Sequence, residues 1–401
     1  MFNRDFIVLE LASILAGPMT TMFFAELGAR VIKLENPHTG GDPTRAWKLG
    51  SERPDDDISG YFSCANWGKE SLACDLTTPA GLEIAHALAA RADIVVASFK
   101  PGDEERLKLD YATLRELNPK LIYGQISAYG AADPRPGFDA ILQAEAGFAY
   151  LNGEADGPPT KMPVALIDLL LAHQLKEGLL LALLKRDRQG EGSYLSTSLF
   201  QAGVSSLANQ ATNYLVAGNV PKRMGSEHPN IVPYGSVLTC ADGRELVIAA
   251  ATERQYRELV GAIGLAPLAK DERFSSGQRR VENRELLLQL IRAQTAAMDS
   301  EMLAAKLTNA RVPFGFVNDM AAVFEHESAR ALLLDGRVDG HQIQGVRSFT
   351  VGGDAVDLKT PTPPPHFDEH RLDIVCGLLG YADSDVARLD NDGAFGDLKT
   401  S

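Results

Sequence analysis

A chain of 401 residues with 53 acidic and 39 basic side chains carries a formal charge of −14, which excludes a broad attraction to nucleic acid or anionic lipid. Its 45% hydrophobic and 23% charged content suits a globular protein of two or so domains. Apolar runs such as Leu169, Leu170, Leu171 and Ala172 fall far short of the roughly 20 residues of a membrane helix, and Asp5 and Glu10 argue against a signal core at Phe6 to Leu9, so a cytoplasmic location is expected.

Phe6, Ile7, Val8 and Leu9 make an apolar run too short for a helix, and they predict a first strand. Pro18 sits where a helix begins, since its missing N–H costs nothing in the first turn. The spacing predicts a helix over 19–27, ended by Gly28, and a second strand over 31–34. The pattern then repeats. Pro79 opens a helix reaching Ala90, and a strand follows at 93–97. A helical stretch stops near Asn118 and Pro119, ahead of a strand at 121–126. Apolar strands alternating with amphipathic helices indicate a parallel sheet covered on both faces.

A long helix is expected from Asp168 to Arg186, with Lys185, Arg186 and Arg188 placed favourably near its C-terminus and Gly190 beyond. A second is expected over 198–217. Residues 218–230 read as a polar linker. A strand pair around the turn Asp242 and Gly243, then helices near 253–263 and 282–297, mark a smaller α+β domain at 222–318. The proline-rich stretch from Thr360 to Pro365 reads as an extended strap leading to a last helix after Asp368.

Cys64, Cys74, Cys240 and Cys376 lie far apart with no C-x-x-C pair, and they read as reduced core residues. The eight histidines show no metal-ligand spacing, so no metal site is expected. The first strand-to-helix loop, Leu11 to Pro18, lacks G-x-G-x-x-G. Without those glycines Glu35, placed like a ribose-binding acid, reads as a solvated strand end.

Asp168 interrupts an apolar stretch and admits two readings. One is a helix N-cap, worth about 1 kcal/mol. The other is a nucleophile, because a carboxylate stripped of water at a helix N-terminus is what attack on a thioester carbonyl requires. Lys69, Lys100, Arg106 and Arg135 follow predicted strands or sit in nearby loops. Singly they read as surface cations. Together they would form a local positive patch for phosphate on an acidic protein.

Ordered motifs spread over the chain resemble the family III CoA-transferases, which include the 2-methylacyl-CoA racemases. They include Leu15-Ala16-Gly17-Pro18, Leu27-Gly28-Ala29-Arg30-Val31-Ile32-Lys33-Leu34-Glu35, Lys69 before Ser71 and Leu72, and Ser98-Phe99-Lys100-Pro101-Gly102. Further on are Pro136-Gly137-Phe138-Asp139, Pro163 to Asp168, Met224-Gly225-Ser226-Glu227-His228-Pro229 and Pro365-His366-Phe367-Asp368-Glu369-His370.

The resemblance implies an α/β fold in which a Rossmann-like large domain with a parallel sheet is built from 1–200 and 330–401. The small α+β domain at 222–318 is joined to it by linkers at 201–221 and 319–329, and two chains form an interlocked homodimer. Acyl-CoA and a carboxylic acid are implied as substrates, with no permanently bound cofactor. Asp168 falls at the catalytic aspartate, which would pass through an acyl anhydride and an aspartyl-CoA thioester. Implied CoA contacts are Leu15 (backbone), Lys69, Phe99, Lys100, Arg106, Tyr129 and Arg135. Lys100 stands where many relatives carry arginine, which keeps the charge and loses the planar fork.

Racemases carry histidine where Phe138 stands, and phenylalanine cannot move a proton, so transfer is favoured over racemisation. Formyl-CoA transferases carry glutamine at Leu15 and glycines near Ala249 to Thr252; both are missing, which argues against oxalate or formate as the acid. Succinyl-CoA is the donor expected from the resemblance. A 2-methylacyl-CoA racemase and a non-catalytic CoA-binding protein, with Asp168 only a cap, are the alternatives.

Overall fold

The structure is a computed structural model, and it describes residues 2–396. The chain divides into two compact units. The first is drawn from Met1–Ala146, Pro163–Leu207 and Ala331–Ser401, the second from Gly147–Met162 and Ala208–Arg330.

The first unit holds a six-stranded parallel sheet of β1 (Ile7–Leu11), β2 (Arg30–Glu35), β3 (Lys69–Ala73), β4 (Ile94–Ala97), β5 (Ile122–Ser127) and β6 (Ser193–Ser198). Their order is β3-β2-β1-β4-β5-β6, and every pairing is parallel. Strand order therefore reverses between β1 and β4, and a crevice opens outside their carboxyl ends. β1, β3 and β4 are buried along their whole length. Two strands went unanticipated for different reasons. β6 is a polar edge strand with alternating exposure. β3 reads Lys-Glu-Ser-Leu-Ala, and only pairing makes its polar groups tolerable inside: Glu70 accepts from Arg30 at 2.8 Å and Ser71 donates to Glu35 at 2.6 Å.

The helix Ala16–Glu26 packs close behind β1. A Cβ on Gly17 would stand 2.3 Å from the Ala12 Cβ, so glycine is required there. The helix Leu166–Gln189 begins two residues before Asp168 and ends at Gly190, whose φ of 76° terminates it in the left-handed region. It lies close over β5: a Cβ on Gly124 would sit 3.2 Å from Leu175. The expected single helix over 198–217 is two helices, Leu199–Ser205 and Ala208–Ala217, broken where Ala208 takes a φ of 48°.

The strap is tied down along its length. Gly68 N–H donates to Thr362 at 2.8 Å, and His370 exchanges hydrogen bonds with Ser71. Glu369 accepts the His366 N–H at 2.8 Å and closes the turn within the strap's end, while Asp368, which accepts the Ala73 N–H at 2.9 Å, and His370 fix that end against β3. Beyond it come a π-helical turn, Asp373–Leu378, and the helix Asp383–Asn391. A two-stranded ribbon, β10 (Leu333–Val338) with β11 (His341–Val346), completes the unit.

The second unit has an antiparallel sheet of β7 (Tyr234–Thr239), β8 (Glu245–Ala249) and β9 (Phe314–Phe316). The helices Glu253–Ala262, Arg284–Thr295 and Ser300–Asn309 bury Leu259, Leu287, Ile291 and Leu303 in its core. This unit also includes residues 147–162, and stretches expected to be linkers carry the helices Ala208–Ala217 and Met320–Glu325. All four cysteines are free; Cys74 and Cys240 are buried, but Cys64 is exposed rather than a core residue. Among the described residues no helix is long and apolar enough to cross a membrane.

Candidate active site

Beneath the crevice lies a buried ionic cluster. The Glu10 carboxylate on β1 accepts from Lys33 at 2.6 Å and Lys69 at 2.7 Å, and also from the Thr21 hydroxyl. Lys33 reaches Asp42 at 2.8 Å, and Lys69 donates to Pro18 and Asn66 at 3.0 Å. Burial works against every charge here. For Glu10 the two ammonium groups outweigh it and hold the carboxyl below its usual range; for Lys33, Glu10 and Asp42 hold the ammonium above its own. Lys69 has less compensation, and burial pushes it down to about 8.

This cluster shapes the loop above it. Asp42 accepts the Ile14 N–H at 3.1 Å, and Ile14 has a φ of 73°, a left-handed conformation that disfavours a β-branched residue. Glu35, far from being a solvated strand end, is 3% exposed; Arg45 grips it at 2.7 and 2.9 Å because the sheet closes over it.

Over these groups opens a cavity of ≈ 650 Å³, ample for a nucleotide-sized ligand. Its walls come from the ends of β1, β2 and β4 and the segment after β3; among them are Ser13, Lys33, Asp75, Phe99, Lys100 and Arg106. Phe99, Lys100 and Arg106 thus come together as expected. Lys100 is exposed and makes no ion pair among the described residues, while Arg106 leans on Asp103 at 3.0 Å.

The other expected contacts do not line this cavity. Lys69 is turned inward, since β3 points its side chain at Glu10 beneath the first helix. Leu15 is buried at the helix start, where its carbonyl accepts from Met19 at 2.8 Å. Tyr129 and Arg135 lie past the end of β5 with the guanidinium 3.9 Å from the ring centroid, and Arg135 is engaged by Asp133 at 2.9 Å.

Asp168 sits in the first turn of its helix but does not cap it. The cap position is Ala165, and the open Ile167 N–H is taken instead by Asp139 Oδ1 at 2.8 Å. The other Asp139 oxygen accepts from Gln143 at 2.8 Å. Asp168 is 7% exposed and has no hydrogen-bond partner among the described residues. Burial first, then the charge of Asp139, pushes its carboxyl up to about 7.

Nearby Tyr61 packs edge-on against Trp47 at 5.0 Å. Burial and then the acids Cys64, Asp168 and Asp139 push the Tyr61 hydroxyl up to about 12, so it remains a proton-bearing donor at neutral pH. Asp139 and Tyr61 were missed as site residues. The only hint was Asp139's place in the Pro136 to Asp139 motif. Asp56, Asp57 and His366 also converge, but the Asp57 oxygens are occupied by His366 at 2.6 Å and the Phe367 N–H at 2.5 Å. That group clasps the strap.

A buried, unpaired carboxylate in the same unit as a cavity whose mixed-charge lining includes the cations Lys100 and Arg106 can act as a nucleophile on a carbonyl. Comparison with known proteins shows the family. The model of CoA-transferase family III matches residues 4–371. A succinate–glutarate CoA-transferase of Agrobacterium fabrum is 37% identical over 381 residues, covering 92% of this chain and 94% of the relative. A succinyl-CoA:mesaconate CoA-transferase of Haloarcula hispanica is 37% identical over 388 residues, covering 92% and 95%. Among solved structures, a CaiB/BaiF family protein from Brucella suis superposes with a TM-score of 0.80 at 36% identity, covering 94% of this chain and 98% of that one.

Proposed function

The chain belongs to CoA-transferase family III, and from that premise we propose that it moves CoA from succinyl-CoA to a second short dicarboxylic acid through Asp168. The observation that carries this is the Asp168 carboxylate, buried and without a hydrogen-bond partner among the described residues. Such a group is poorly solvated and gains most by forming a covalent bond. The names of the relatives, succinate–glutarate and succinyl-CoA:mesaconate transferases, support the substrate class.

In the proposed cycle an Asp168 oxygen attacks the donor thioester carbonyl. The C–S bond breaks and CoA leaves as thiolate, giving a mixed anhydride. The thiolate attacks the Asp168 carbonyl, releasing the donor acid and leaving an aspartyl-CoA thioester. The acceptor carboxylate attacks that thioester, forming a second anhydride and thiolate. Attack of the thiolate on the acceptor's carbonyl forms the new acyl-CoA and restores Asp168. One thioester is exchanged for another, so no ATP is consumed. Phe138, which stands at the start of the helix Asp139–Glu145, offers no proton for the α-carbon chemistry of a racemase.

Lys100 and Arg106 are proposed to hold CoA phosphate, with Phe99 beside them. Lys69 acts from below by fixing Glu10. Two chains are proposed to assemble as an interlocked homodimer. Exposed Leu181 and Leu184 on the helix Leu166–Gln189 are in keeping with such a cover.

The test is chromatography of thioesters after mixing the protein with succinyl-CoA and either glutarate or mesaconate, with intact-protein mass and reductive trapping to locate the adduct. Exchange and a modified Asp168 are expected; no exchange with any short dicarboxylate pair refutes the reading. Loss of one charge-assisted phosphate contact in Lys100→Ala should raise KM for the acyl-CoA about ten-fold or more and leave kcat within about two-fold. Initial rates over a range of acyl-CoA concentrations separate the two.

A further inference from the structure

His366, at the end of the strap, has a carboxylate facing each nitrogen of its ring. Nδ1 lies 2.6 Å from Asp57 Oδ1, and Nε2 lies 3.3 Å from Asp339 Oδ2 in the turn between β10 and β11. A neutral imidazole carries one N–H and can donate to only one of these oxygens, whereas the imidazolium serves both. The other charged groups nearby have partners of their own. Glu369 accepts the His366 backbone N–H, and Asp56 is engaged by the Ile58 N–H at 3.0 Å and by Arg53 at 2.5 Å. Asp57 keeps its charge: burial opposes it, but the Phe367 N–H and His366 outweigh burial and hold the carboxyl below its ordinary range.

Arg45 couples this pair to the wall of the large cavity. Its Nη1 donates to the carbonyls of Pro365 at 3.1 Å and Asp57 at 3.2 Å, so it bridges the same two segments as the His366–Asp57 pair. Its other nitrogens hold Glu35, whose carboxylate accepts the Asp42 N–H at 2.8 Å. Glu35, Gly41 and Asp42 line the cavity. Phe367 also presses on that wall directly, since a Cβ on Gly41 would stand 2.9 Å from its ring. Arg45 is 4% exposed, so withdrawal of the strap's carbonyl would leave a buried N–H unmet and the wall less firmly held.

We infer that His366 is a positioning residue for the cavity: its imidazolium pins the strap to the Asp57 segment, and Arg45 then keeps the Glu35 and Asp42 wall in place. The role rests on the reading of that cavity as the CoA site. Burial opposes the imidazolium, but Asp57, Asp339 and Glu369 outweigh burial and hold the ring above its ordinary value of 6.5. The clasp is therefore complete below about pH 6.5, weakens as pH rises through the folded-state value, and keeps a single N–H donor above it. The Asp57 and Asp339 side chains are 36% and 63% exposed, so solvent screening limits the effect on affinity to a few-fold.

The test is CoA affinity by titration calorimetry at about pH 6 and about pH 9, for the parent and for His366→Gln, whose side chain does not titrate. The variant should bind CoA about three-fold more weakly than the parent at the lower pH and within about 1.5-fold of it at the higher. Groups that titrate in both proteins, such as Lys69 and the CoA phosphates, cancel in that ratio. Asp57→Asn keeps an acceptor for the Phe367 N–H and removes the charge; its ratio to the parent should likewise fall with pH, and it serves if the His366 variant fails to fold. Hydrogen exchange of the unliganded chain gives a second readout. Protection of the Phe367 N–H should drop about two-fold or more between the two pH values in the parent, and the drop should be absent from His366→Gln. A purely structural contact is lost equally at both pH values, so a flat affinity ratio, or unchanged protection in the parent, would overturn the assignment. Failure of the parent to bind CoA at either pH overturns the cavity reading and this role with it, whereas binding with a flat ratio overturns this role alone.

Discussion

Asp168→Asn is expected to lower the turnover of CoA exchange by at least about 10³-fold, because the amide keeps the shape of the carboxylate and cannot form the anhydride. The same variant should be more stable than the parent at high pH. Asp168 has a folded-state pKa of about 7, above its unfolded value of 3.8, so the folded chain binds the proton more tightly. Stability therefore falls as pH rises from about 4 to about 7, and the loss is complete above that window. Replacing the carboxyl removes the loss, giving up to about 4 kcal/mol at pH 8 and nothing below pH 4. Urea denaturation of both proteins at pH 4 and pH 8, alongside exchange rates, checks the two halves. Full exchange activity in the Asn variant would end the covalent proposal. In the parent enzyme kcat/KM should climb through pH 7 to a plateau as the nucleophile ionises.

Glu10→Ala is expected to have the largest effect on stability, a loss of about 3–5 kcal/mol. Glu10 is fully buried and shared by two fully buried lysines, at 2.6 and 2.7 Å. Removing it leaves Lys69 without its carboxylate and Lys33 dependent on Asp42 alone. Asp42 in turn holds the strained Ile14, so the loop at the mouth of the cavity should loosen and KM for acyl-CoA rise. The midpoint and slope of a urea transition give the first result, and initial rates give the second. A change below about 1 kcal/mol would mean that water reaches the cluster and relieves the lysines.

The fold was legible where local composition and tertiary environment agree. β1, β2, β4 and β5 are apolar runs because both of their faces are covered, and their alternation with helices predicted the parallel sheet. Where polar residues are buried the inference fails. β3 looked unlike a strand because Lys69, Glu70 and Ser71 are tolerated only by partners from β1, β2 and the N-terminus. The break at Ala208 was invisible because nothing in its neighbourhood but backbone geometry interrupts the helical pattern.

The sequence alone determined that a lone acid stands in an apolar stretch at the start of a long helix, that the cations Lys100 and Arg106 follow a strand end, and that the ordered motifs are those of one family. These are properties of neighbours along the chain, and such patterns carry them. Tertiary structure decided which charges face a ligand. Lys69 and Lys100 are both lysines near strand ends, yet one is locked under a helix by Glu10, 59 residues away in sequence, and the other stands open at the cavity. Asp139, 28 residues before Ile167, took the capping role first considered for Asp168 and left that carboxylate unpaired. Whether a buried charge is neutralised depends on a partner within a few ångströms, and a linear spacing does not encode which distant residue folding brings there.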